Sequence, residues 1–182
     1  NAKDLALLMN EAIKHELLVE VMSAASYVIP PTNKISESRP LVNTNKLIVS
    51  SSEYYDSRVV CGKTGYTTPA GNVLVTYSKV NGMGVITVLM KAEQGTIFTD
   101  TSAVLDYCSE SFSVTKVDNL LDYAVAVPTG NGGAQIMACP ADSFYVLTES
   151  GDQIKTYTKT YDLPDRIDGA VAKGDLLGTL TF

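Results

Sequence analysis

The sequence holds one histidine, three scattered cysteines and no apolar run as long as a bilayer is thick. Each scarcity removes a class of protein. Cys61, Cys108 and Cys139 form no Cys-x-x-Cys pair, and with His15 as the single imidazole they leave no zinc site of the usual kind. The three are read as free, buried thiols, with no metal and no cofactor implied. Without a run approaching 20 or so apolar residues there is no membrane span, and no signal peptide opens the chain. It starts at Asn1 and enters an amphipathic pattern at once, so it reads as a piece of a longer polypeptide. Basic residues are also few: 14 Lys and Arg stand against 20 Asp and Glu, a net charge of −6, and they are scattered, which excludes a nucleic-acid partner. What is present is ordinary globular material, 45% hydrophobic over 182 residues, enough for one sizeable domain or two small ones.

Leu5, Leu8, Met9, Ala12 and Ile13 recur on one helical face, so a helix is expected over 4–22 with Asp4 as N-cap. His15 falls inside it as a surface residue; a second histidine or a nearby nucleophile would be needed to make it catalytic. Residues 27–45, rich in Pro, Asn and Ser, read as a long loop, and loops of that length inside a domain usually serve function. Strands follow over 72–79 and 84–91, joined by Asn81-Gly82, a strong hairpin signal. A second amphipathic helix is expected after Thr99-Asp100. Beyond about residue 115 the text breaks into short β runs (YAVAV, QIMAC, FYVLT, QIKTYTKTY) separated by turn residues, which predicts a small all-β unit. The division is placed at 116 to 121, giving domains 1–116 and 117–182.

Residues 61–72 read CGKTGYTTPAGN. Gly62-Lys63-Thr64 is not a phosphate loop, because that motif needs a glycine five positions before its Gly-Lys pair and position 57 is serine. The TGNGG at 129–133 reads as a hairpin turn rather than a nucleotide cradle. Lys63-Thr64-Gly65 also matches the third motif of penicillin-recognising serine enzymes, whose set is Ser-x-x-Lys, Ser-x-Asn and Lys-Thr-Gly. The chemistry is coherent: a lysine for positive potential, a threonine hydroxyl for a carboxylate, and a glycine that lets a substrate strand lie close.

With DLALLMNEAIK, SYVIPPTNK, LVNTNKLI, GKTGYTTPAGNVLV and FTDTSAVLDY around it, the sequence resembles the D-alanyl-D-alanine carboxypeptidases, low-molecular-weight penicillin-binding proteins of the S11 peptidase type. The resemblance implies an α+β fold: the C-terminal portion of a penicillin-binding/β-lactamase-like transpeptidase domain, followed by a small all-β sandwich domain. It implies a serine enzyme that removes the terminal D-alanine of peptidoglycan pentapeptides through an acyl-enzyme and is acylated by β-lactam antibiotics. Lys63 would tune the electrostatics of the cleft, Thr64 would bind the substrate carboxylate, Gly65 would permit strand addition, and the Tyr66 backbone N–H would supply an oxyanion donor. An extracytoplasmic, membrane-associated location comes with the family.

The sequence departs from the family's set in one respect. Its single Ser-x-x-Lys is Ser113-Val-Thr-Lys116, after the Lys-Thr-Gly instead of far before it, and no Ser-x-Asn occurs. With 15 serines and 11 lysines in 182 residues, about one such match arises by chance. The chain is therefore expected to be inactive alone and to need an upstream part of the same protein; its open sheet edge makes self-association an expectation too. A β-lactamase relative and a non-catalytic binding or scaffold protein are the competing readings. In the β unit, Asp162, Asp165, Asp168 and Asp175 read as solvated loop carboxylates, too widely spaced for a calcium loop, and the unit itself as a pedestal or partner-binding module.

Overall fold

A computed structural model describes residues 1–93, 95–117, 119–130, 133–150 and 157–182. It divides into two compact units, Asn1–Ser111 and Phe112–Phe182. The division lies before the strand Phe112–Val117, so Lys116 sits inside an element of the second unit and not at a boundary.

The expected helix over 4–22 is two helices, α1 (Ala2–Ala12) and α2 (Glu16–Ser23). Asn1, not Asp4, is the N-cap: its side chain accepts from the Asp4 N–H at 3.1 Å, while the Asp4 carboxylate takes the N-terminal ammonium at 3.0 Å. This is a capping box with Asp4 at its third helical position. The break has no glycine or proline to announce it. The Lys14 and His15 N–H groups bond three residues back, to Glu11 and Ala12, and His15 turns extended before α2 begins. Apolar periodicity continues through the break, which is why the pattern reads as one helix. His15 thus lies at the junction, exposed, 3.7 Å from Glu11.

Residues 27–45 are not all loop. β1 (Ser26–Ile29) and β2 (Arg39–Val42) form an antiparallel ribbon pairing Ser26 with Val42 and Ile29 with Arg39. The prolines stand where they obstruct no ladder: Pro30 and Pro31 in the connection, and Pro40 on a two-stranded ribbon with a free side. Both faces are open, leaving Tyr27, Val28, Leu41 and Val42 exposed, as are Leu7, Leu8, Leu17 and Val21 of the helices.

The centre of the first unit is a three-stranded antiparallel sheet, β3 (Val59–Thr67), β4 (Gly71–Val80) and β5 (Met83–Ala92), in the order β3-β4-β5. Asn81 and Gly82 both take positive φ, 48° and 81°, as a tight hairpin turn requires. The Asn81 amide also donates to Ser109 of α3 (Ile97–Ser111), fastening turn to helix. That helix starts two residues before Thr99; Thr99 and Asp100 lie in its first turn, where the Thr96 hydroxyl donates to the Asp100 carboxylate at 2.8 Å. Leu47, Cys61, Leu74, Val80 and Leu105 form the core, and the buried Thr76 and Thr87 hydroxyls satisfy each other at 2.6 Å across β4 and β5.

Where β3 begins, Arg58 grips Asp56 through two bonds of 2.9 and 2.7 Å and reaches Asp106 of α3 at 2.7 Å; the Ser102 hydroxyl completes the cluster on Asp56 at 2.9 Å. These bonds, those from Arg58 foremost, hold the Asp56 carboxyl below the usual carboxylate range although burial opposes them. A carboxylate depressed on folding stabilises above its unfolded pKa of about 3.9, and that contribution is lost as pH falls through the folded value. Asp56→Asn is expected to cost about 1.5–3 kcal/mol at neutral pH. Urea midpoints recorded across the acid range should fall steeply for the parent below about pH 4. They should flatten for the variant; parallel acid limbs would remove Asp56 from the account.

In the second unit β6 (Phe112–Val117) pairs with β9 (Phe144–Glu149), β7 (Val125–Pro128) with β8 (Gln135–Ala138), and β10 (Thr160–Asp162) with β11 (Thr179–Thr181), all antiparallel. A parallel bridge joins Thr129 to Ile167. Val117, Val127, Val146 and Ile167 are buried, and the rings of Tyr123, Phe144 and Phe182 meet with centroids 5.4–5.7 Å apart. The middle of TGNGG and the start of QIKTYTKTY lie outside the described residues. Among the described residues no helix is long and apolar enough to cross a membrane.

Candidate active site

Lys63, Thr64, Gly65 and Tyr66 follow one another along β3, an outer strand of the sheet, opposite Val75, Leu74, Val73 and Asn72 of β4. Among the described residues no further strand pairs with β3, so one row of its backbone groups is available to an added chain. The alternation of a strand puts Lys63 and Gly65 on one face and Thr64 and Tyr66 on the other. All but Thr64 are exposed, Tyr66 to 68%. The Lys63 ammonium folds along the strand and donates to the Thr64 carbonyl at 2.5 Å.

The two glycines that flank Lys63-Thr64 differ. A Cβ on Gly62 would stand 2.7 Å from the Val75 carbonyl oxygen and 2.9 Å from the Asn45 side-chain nitrogen, so the fold itself demands a glycine there. A Cβ on Gly65 would meet nothing within 4 Å. The fold does not require glycine at 65.

A second segment completes the strand's surroundings, and sequence reasoning gave its residues no role. Asn43, Thr44 and Asn45 run between β2 and the short turn of helix Lys46–Ile48. Asn43 donates its amide to the Ala24 carbonyl at 3.0 Å and accepts from the Asn45 N–H at 2.9 Å; Asn45, wholly buried, accepts from the Leu47 N–H at 3.2 Å. Between these anchors the Thr44 hydroxyl meets that of Thr64 at 2.5 Å. The signal available in the sequence was the Asn-Thr-Asn run, residue types that fold their side chains onto nearby backbone.

Cys61, two residues before Lys63, is wholly buried, and burial pushes its thiol up against an opposing backbone hydrogen bond at Tyr77, so it is an inert core residue and not a nucleophile. All three cysteines are free as expected, but Cys139 is exposed and Cys108 half-buried. Ser113 and Lys116 lie three residues apart on β6, an odd separation that sends their side chains to opposite faces. The Ser113 hydroxyl is engaged with Thr148 at 3.0 Å. That pair cannot act as nucleophile and base together. The second unit also carries a cavity of about 560 Å³, lined by apolar residues including Ile136, Met137 and Leu180 and by no catalytic set. Asp162, Asp165, Asp168 and Asp175 are exposed, Asp168 paired with Arg166 at 2.7 Å. No metal-binding group of three or more His, Cys, Asp or Glu occurs among the described residues.

The fold, helices beside an antiparallel sheet with a β unit after it, is that of penicillin-binding proteins. The chain aligns over 99% of its length with penicillin binding protein 5 of Haemophilus influenzae (TM-score 0.70, 19% identity, 50% of that chain). It aligns over 93% with a peptidoglycan synthesis regulatory factor, PBP3, of Streptococcus pneumoniae (TM-score 0.68, 21% identity, 46% of that chain). In sequence it is 26% identical over 185 residues to the D-alanyl-D-alanine carboxypeptidase DacF of Bacillus subtilis (strain 168), covering all of this chain and 46% of that one. The model of the peptidase S11 family, D-alanyl-D-alanine carboxypeptidase, matches residues 1–94, over half of the 182. The chain belongs to that family. It spans about half the length of the relatives it matches.

Proposed function

We propose that this chain supplies one wall of the cleft of a serine D-Ala-D-Ala carboxypeptidase, with the nucleophile contributed by sequence outside these 182 residues. The observation that carries the reading is an outer strand bearing Lys-Thr-Gly whose glycine, Gly65, opens onto free space. In the proposed reaction a serine oxygen attacks the carbonyl of the penultimate D-alanine of a pentapeptide, its proton passing to a neighbouring base. The tetrahedral oxyanion collapses, the C–N bond breaks, and D-alanine leaves with a proton; water then cleaves the ester. Lys63 raises the positive potential of the cleft from its own face of the strand, and the Thr64 hydroxyl donates to the terminal carboxylate. Gly65 admits the substrate as an added strand, and the Tyr66 N–H faces the oxyanion. A β-lactam, whose carboxylate and strained amide mimic the peptide end, acylates the same serine. The substrate belongs to the cell wall, so the proposed location is extracytoplasmic.

The test is labelling with a fluorescent penicillin, read on a denaturing gel beside an intact mass. The 182 residues alone should take no label, and the chain joined to a segment carrying Ser-x-x-Lys and Ser-x-Asn should take one per molecule. Covalent label on the isolated chain would overturn the reading, because it would require a serine nucleophile with a partner base, and the described residues hold none so arranged.

A further inference from the structure

We propose that Thr44 is a positioning residue that aims the Thr64 hydroxyl at an acceptor-only group, and so makes this wall selective for a carboxylate. The inference rests on the reading of Lys63, Thr64 and Gly65 as a carboxylate-binding strand and deepens it. The two hydroxyls stand 2.5 Å apart, so one donates to the other. Each hydroxyl has one proton. When Thr44 donates to Thr64, the Thr64 proton has no partner in the pair and is free to be donated outward. A carboxylate can only accept, so it selects this arrangement, and the donor chain from Thr44 through Thr64 to the carboxylate strengthens along its length.

Thr44 is held for this task from both sides. The backbone N–H of Asn43 donates to the Ala25 carbonyl at 2.8 Å and its amide to Ala24 at the end of α2, while Asn45 is locked beneath Gly62. The residue between them is exposed and still has its hydroxyl directed at one atom of β3. Solvation alone does not explain that direction, since an exposed threonine finds water in any rotamer. The close approach of Asn45 to Gly62 sets the spacing between the segment and the strand, so the hydroxyl pair is built into the backbone path of both.

The experiment uses the whole protein, chain and nucleophile segment together, and compares the second-order acylation constants of benzylpenicillin and of its methyl ester, which lacks the carboxylate. Thr44→Val keeps the shape and removes the hydroxyl; it should lower acylation by the acid about tenfold and leave the ester unchanged. Thr44→Ser, which keeps the hydroxyl, should restore the acid preference. Thr64→Val serves as reference and should abolish that preference. If Thr64→Val abolishes it and Thr44→Val does not, Thr44 has no positioning role. If Thr44→Val slows acid and ester alike, its role is structural and the proposal is overturned. If Thr64→Val leaves the preference intact, the carboxylate reading of the strand fails first, and the Thr44 proposal with it.

Discussion

Replacing Lys63 by alanine is expected to lower penicillin acylation of the whole protein by about 100- to 1,000-fold, the usual cost of removing one preorganised charge partner from a cleft. The side chain is exposed and its one described bond goes to the carbonyl of the next residue, so the fold has little to lose. Its removal should leave stability within about 0.5 kcal/mol. Stopped-flow acylation and a urea melt on the same preparation separate the two effects. A rate within about threefold of the parent would take Lys63 off the cleft wall, since a Coulombic partner of a bound carboxylate is worth more than that.

Gly62→Ala and Gly65→Ala should fail in opposite ways. At 62 the added methyl collides with the Val75 carbonyl and with Asn45, both held by backbone pairing or burial and neither able to swing aside. Relief requires β3 to shift from β4, at a cost of about 2–3 kcal/mol. At 65 the methyl meets no protein atom within 4 Å, so stability should be unchanged while the space for an added strand is filled and penicillin acylation drops. A matched pair of thermal melts and labelling rates reads the contrast. Equal melting temperatures for both variants would contradict the packing at Gly62, and undiminished labelling of Gly65→Ala would contradict strand addition at that residue.

Much of the first unit was legible as text. Apolar alternation over β4 and β5 with Asn-Gly between them left one hairpin as the solution, because a tight turn with two positive φ angles is nearly private to those residue types. The Lys-Thr-Gly tripeptide was legible for the same reason: charge, hydroxyl and missing side chain at fixed spacing are properties of the letters. Less legible was where a pattern stops. The break at His15 and the ribbon inside residues 27–45 depend on three-residue backbone bonds and on pairing across the chain, neither of which changes the local apolar period. The cysteines illustrate a further limit, since the sequence established that no neighbour at motif spacing could pair them but not that only Cys61 would be buried.

By itself, then, the sequence determined which side chains β3 carries, the absence of a Ser-x-x-Lys and Ser-x-Asn pair from these 182 residues, and the family to which the strand's motif points. Only the tertiary structure decided which of the two glycines the fold needs, that Ser113 and Lys116 diverge, and that the hydroxyl of Thr44, twenty residues before Thr64, hydrogen-bonds to that of Thr64. The physical reason is range. Residue type and short spacing encode propensity and local geometry, whereas a hydroxyl pair or a forbidden Cβ arises from two distant backbones brought together, and that meeting is set by the packing of the whole unit.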